Sequence, residues 1–146
     1  MKKLDFDSGV REYGLGNALV RFNPTDIYFN ERLSNAFDKL EGLQFKFQTQ
    51  IQADIQDKDA WEVCRNTDRE MRKVIDNLFG KNGIANEIFE DVALYAFGEN
   101  SLPIWVNALV PVAAEVHGTF GEIGKEDNPK LVEYLKKYNV IFDEGK

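Results

Sequence analysis

At 146 residues the chain has the length of one ordinary domain, and with 43% hydrophobic residues it can fill a core, which excludes a disordered tail. Its 18 Lys and Arg against 25 Asp and Glu leave a formal charge of −7, which argues against nucleic-acid binding as the main role because phosphate contacts need a basic surface. No run approaches the 20 or so apolar residues that a membrane span needs, and Met1-Lys2-Lys3 leads into Asp5 and Asp7 rather than an apolar signal segment.

The expectation is a soluble, cytosolic protein. Cys64 is the only cysteine, so an internal disulfide is excluded and a reducing compartment is the default.

Leu4-Asp5-Phe6-Asp7 alternates apolar and polar residues, as do parts of Ala18-Leu19-Val20-Arg21-Phe22, with Gly9, Gly14, Gly16 and Asn17 between them. This pattern predicts a β-hairpin over 4–23 that must lie against helices, because a lone hairpin is marginal in water. Asp5-x-Asp7-x-Gly9 has the opening of a calcium loop, but Val10 and Gly16 stand where such a loop needs Gly and Glu. Gly14-x-Gly16 lacks the third glycine of a dinucleotide fingerprint and reads as a turn.

Pro24 ends the strand, and Thr25 or Asp26 can cap a helix carrying Ile27, Phe29, Leu33, Ala36, Phe37 and Leu40 to about Glu41. Gly42 predicts a break or kink. Residues 42–57 fit helix or strand, and the glutamines among them tilt the reading to helix.

After a turn or cap at Asp57-Lys58-Asp59, Trp61, Cys64, Asp68, Met71, Ile75 and Leu78 step by three and four residues. They form a seam that Gly80 closes from the left-handed position, and the seam predicts an antiparallel pair with the preceding helix. Asp68 on it is either a buried acid needing a partner or a half-exposed residue. Arg65, Arg69, Arg72 and Lys73, interleaved with Glu62, Asp68, Glu70 and Asp76, read as a solvated face with pairs such as Asp68–Arg72 and Arg72–Asp76.

A short helix is predicted from Ile84 to Asp91, with a continuation to Phe97 left open. Ser101 is then expected to cap, with Pro103 in the first turn. Ser101 to His117 is nearly all apolar, and a helix of that composition must be covered on every side. Pro111 inside it predicts a kink or two half-helices. Gly118 to Asn128 reads as a flexible connection, Asn128-Pro129 as the cap of a last helix to Tyr138, and Asn139 to Lys146 as a loose end.

The expected fold is therefore mostly α with a short N-terminal β-hairpin (α+β). It is a globular domain over 1–117 (hairpin 4–23, helices 25–117) followed by a connection and short helix over 118–146.

No motif specifies a reaction. Cys64 sits on an apolar seam and His117 is the sole histidine; two possible ligands do not make a four-ligand zinc site. Acid groups such as Glu87/Glu90/Asp91, expected in a helix first turn, or Glu122/Glu126/Asp127 carry little weight in an acidic chain. No enzyme, metal or cofactor is expected.

Arg21-Phe22-Asn23-Pro24-Thr25-Asp26, Met71-Arg72-x-x-Ile75-Asp76-x-x-Phe79-Gly80 and Leu102-Pro103-Ile104-Trp105 together resemble small tail-morphogenesis proteins of siphophages of Gram-positive bacteria, such as tail assembly chaperones or their neighbours in the gene cluster. The resemblance covers roughly residues 4 to 117. It implies a mostly helical, often self-associating protein in the cytoplasm of the bacterial host. Its partner would be the tape measure protein, kept soluble while the tail tube protein polymerises around it; the alternative is a structural virion protein, a tail completion or connector piece. An acidic domain with surplus apolar helix surface suits such binding. Trp105, Leu109, Val112 and Val116 are candidates to divide between core and interface. Trp61, Met71 and Ile75 are candidates as well, with core the stronger expectation for these three.

Overall fold

The computed structural model describes residues 1–52 and 57–141. A two-stranded antiparallel hairpin, β1 (Arg11–Leu15) and β2 (Ala18–Phe22), precedes α1 (Ile27–Gln52), α2 (Asp57–Phe79), α3 (Ile84–Phe89), α4 (Ile104–Glu122) and α5 (Pro129–Lys137). Mostly α with a short N-terminal hairpin is the architecture expected.

The hairpin starts later than predicted. Leu15 pairs with Ala18 across Gly16-Asn17, and Gly16 has φ 61°, the left-handed geometry that the first residue of a two-residue hairpin turn demands. Leu4 and Phe6 are exposed and lie outside any strand, because the alternation over 4–7 has no apolar surface to face. Ala18, Val20 and Phe22 point inward, and Phe22 stacks between Tyr13 and Phe29 at 4.6 and 4.5 Å, fixing the hairpin to α1.

Asp26 caps α1: its carboxylate accepts from the Tyr28 N–H at 2.9 Å and its carbonyl from Asn30 N at 3.0 Å. The helix runs unbroken through Gly42, which is exposed and has open space beside it, so a residue with no side chain costs only propensity there. The ambiguous stretch is helical to Gln52 and its remainder before Asp57 lies outside the described residues, while Asp57-Lys58-Asp59, expected as a turn or cap, are the first residues of α2.

α2 packs along α1 as the expected antiparallel partner and ends on Gly80 at φ 65°. Gly80 N bonds Asn77 O and Lys81 N bonds Asp76 O, the pairing of a Schellman cap.

α3 is shorter than predicted. It stops at Phe89, so Glu90 and Asp91 fall beyond it rather than in its first turn, and residues to Pro103 form turns. Ser101 does not cap α4. The Ala96 and Leu94 carbonyls receive the Ile104 and Trp105 N–H groups at 2.7 and 3.2 Å, satisfying donors a capping side chain would otherwise serve. Pro103 occupies the N-cap position.

α4 is one helix, not two halves. Pro111 lies on its exposed stripe with Glu115 and Gly118, where the missing N–H does not open the core. It also continues past His117 to Glu122, burying Thr119 and Phe120, so Gly118 and Gly121 are helical and not part of a connection. Asn128 caps α5 as expected, accepting from Lys130 N, and Leu131 and Leu135 are fully buried. α5 is bound to α1 by Lys130 and Tyr134 on Asp38 and by Lys137 and Tyr138 on Glu41. The C-terminal helix thus shares the core of the preceding elements, and Val140 and Ile141 pack against it.

Candidate protein-binding surface

Six of the seven candidate binding residues are interior. Trp105, Leu109, Val112 and Val116 on α4 and Met71 and Ile75 on α2 are at most 5% exposed. The reason for α4 is geometric: α1, α5, the hairpin and the 90–103 turns enclose it. Trp105 even satisfies its indole inside, donating to Gln44 Oε1 at 3.0 Å while Gln44 Nε2 donates to the Tyr95 carbonyl at 3.0 Å. As folded, these six side chains fill the core.

Trp61 is the opposite case: expected in the core, it is 66% exposed. The first buried residue of α2 is Thr67 and the first buried member of the seam is Met71, and on α1 the last buried residue is Phe47. Between Phe47 and Thr67 no described residue is buried, and Val63, Cys64 and Ala60 are half-covered. Among the described residues, the α1–α2 hairpin therefore ends in an arm that little covers beyond Tyr95, which lies beside Cys64. From Asp57 to Asn66 the α2 part of the arm is about 15 Å long at the helical rise. Ile51 at 38% is its exposed apolar residue on α1, and Phe45 at 72% lies just before Phe47 on the outward face. Sequence reasoning proposed neither as a binding residue; the available signal was that Phe45 falls outside the three- and four-residue spacing of the buried Phe37, Leu40, Gln44 and Phe47.

Below the arm, Asp68 resolves the two readings given for it: it is partly buried and fully partnered. Its Oδ1 accepts from Leu94 N at 2.8 Å and its Oδ2 from Arg72 Nε at 2.8 Å. Arg72 also donates to Asn86 Oδ1 and to the Val92 carbonyl. The expected Arg72–Asp76 pair does not form, because Asp76 accepts from Gly83 N and Ala85 N at the start of α3 instead. Burial, a hydrogen bond with Cys64 and the nearby charges of Cys64 and Asp68 push the Tyr95 phenol up to about 12.

His117 lies in a shallow groove with Lys125, Glu126 and Glu133, its Nδ1 2.9 Å from Oδ2 of Asp127. The Asp127 carboxylate is 1% exposed, and its Oδ1 accepts from Asn30 Nδ2 and Asn128 N at 2.7 Å. An oriented imidazole is half of a hydrolytic pair, but the described residues lining its groove include no Ser, Thr or Cys; the Thr119 hydroxyl donates to the Glu115 carbonyl, and Cys64 lies beside Tyr95. The pairing ties the end of α4 to the start of α5. Among the described residues no three His, Cys, Asp or Glu side chains converge on a metal position, and no helix is long and apolar enough to cross a membrane.

Comparison with protein-family models, curated proteins and solved structures finds no match.

Proposed function

We propose that this chain is a non-catalytic protein-binding domain that acts as a tail assembly chaperone, holding the tape measure protein soluble in the host cytoplasm while the tail tube protein assembles around it. The partner comes from the resemblance carried by the residues around Pro24, Met71–Gly80 and Leu102–Trp105. The observation that supports binding is the arm: Trp61 and Ile51 stay exposed where no described residue is buried, and Phe45 is exposed next to it. Large apolar side chains held open on rigid helices are what a groove-seeking partner helix needs.

The docking element in this reading is the arm and not α4. Self-association would use the same surface.

Co-expression with the adjacent tape measure protein tests the reading. The expected result is a higher soluble yield of that protein and its co-purification, both lost on Trp61→Ala. An unchanged yield refutes the chaperone role. Finding the chain in purified virions by mass spectrometry instead assigns it to the tail structure.

A further inference from the structure

We infer that the Trp61–Arg65–Arg69–Lys73 face of α2 docks an acidic amphipathic helix of a protein partner. The inference rests on the reading of the arm as the docking element and adds the chemistry of what it docks.

The four residues recur every fourth position and therefore form one stripe, about 18 Å long at the helical rise. All four are exposed. The cations are also uncommitted. Among the described residues none of Arg65, Arg69 and Lys73 has a carboxylate partner, and the one hydrogen bond of Arg69 is to Asn66 on its own helix. On a chain of formal charge −7, three adjacent unpaired cations run against the rest of the surface.

The lower end of the stripe opens into a groove closed by Asn82 and Asn86. Two carboxylates line this groove, Asp68 and Asp76, and both are already used: Asp68 by Arg72 and the Leu94 N–H, Asp76 by the Gly83 and Ala85 N–H groups. The groove is thus left with cations facing outward and no acid free to neutralise them.

Carboxylates spaced one helical turn apart match this stripe, and an apolar residue one turn further on meets Trp61. A protein helix fits better than a nucleic-acid backbone. Glu62 and Glu70 flank the stripe, and a continuous row of phosphates meets them, whereas carboxylates placed singly can avoid them and bring fewer charges against the net −7.

The test is fluorescence anisotropy with a labelled helical peptide of about 20 residues. It carries glutamates four residues apart on one face and leucines on the next. A twin with every glutamate replaced by glutamine and an oligothymidine of similar length are the comparison probes. The protein is used as the full chain, as Trp61→Ala, and as Arg65→Gln/Arg69→Gln/Lys73→Gln, with folding checked by circular dichroism.

The expected result is binding of the glutamate peptide, weakened about tenfold both in the glutamine twin and in the triple variant, and weakened by salt. Equal binding of the two peptides, an unaffected triple variant, tighter binding of the oligonucleotide, or no binding of the glutamate peptide overturns the inference. If Trp61→Ala weakens both peptides while the charges make no difference, the acidic partner is wrong and the arm remains a docking element. The co-expression result judges the chaperone reading separately.

Discussion

Arg72 is the side chain whose loss should be felt most widely outside the apolar core. Its guanidinium donates to Asp68 on its own helix, to Asn86 on α3 and to the Val92 carbonyl in the turn that leads toward α4, at 2.8, 2.9 and 2.8 Å. Arg72→Met keeps the aliphatic stem and removes all three. The Arg72 and Asp68 side chains retain 15% and 23% of their exposure, so the pair sits between a surface bridge, worth up to about 1 kcal/mol, and a buried one, which costs about 3–5 kcal/mol to break. Asn86 and the Val92 carbonyl can recover water, so they add little. The expected loss is about 2–3 kcal/mol, or roughly 6–9 °C in Tm for a chain of this size. A double-mutant cycle in urea with Asp68→Asn, which still offers an oxygen to the Leu94 N–H, should give a coupling of about 1–2 kcal/mol. If the two single losses add to within about 0.5 kcal/mol, Arg72 is not held by Asp68 and the account of this junction fails.

Three further outcomes follow from the same geometry. Trp105→Phe should destabilise by about 2–3 kcal/mol in chemical denaturation, since it opens a void and leaves the buried Gln44 Oε1 without its donor; a loss under about 0.5 kcal/mol would mean that Gln44 finds another partner. Gly42→Ala should raise stability by about 0.5–1 kcal/mol, because the site is mid-helix, exposed and free of neighbours; a lower Tm would mean that α1 needs glycine there. Burial first, then hydrogen bonds and the charge of Asp38 and Glu41, raises the phenols of Tyr134 and Tyr138, as burial and Cys64 raise that of Tyr95. A folded value above the unfolded value of 10.0 means that the stabilisation is complete below pH 10 and is lost as pH climbs through the folded values. Phenolate absorbance and far-ultraviolet circular dichroism should therefore change together in strong alkali, and ionisation of these tyrosines in a chain that keeps its helicity would contradict their burial.

The fold was legible wherever one local rule decided the matter. Pro24 with Asp26, Gly80 at φ 65° and Asn128-Pro129 each mark a helix end by chemistry confined to a few residues, and all three ends are found there. The errors lie where a local signal was outvoted by tertiary contact. Gly42 and Pro111 are read as breaks or kinks in isolation, yet both fall on the solvent side of helices that continue through them, with buried neighbours on the other side. Leu4-Asp5-Phe6-Asp7 has the alternation of a strand and no partner, while Arg11–Leu15, with its glycine, alternates poorly and is the strand because the turn at Gly16-Asn17 pairs it with Ala18–Phe22.

The functional surface was harder to read because apolar content measures supply, not exposure. Ser101–His117 is so apolar that some of it was expected to be left over for a partner, but the surplus was absorbed by covering it. α5, placed in sequence beyond a glycine-containing stretch, returns to bury Leu131 and Leu135 in the same core, and the 90–103 turns give their carbonyls to the start of α4. Trp61 is exposed where the seam on α2 runs on past the described elements that cover it. Trp61 and Met71 belong to one repeat in the sequence; ten residues, about 15 Å of helix, carry Trp61 clear of the layer that encloses Met71. Periodicity fixes which face of a helix is apolar. How far along that face the cover extends depends on the lengths and placement of the other elements, which the spacing on one helix does not contain.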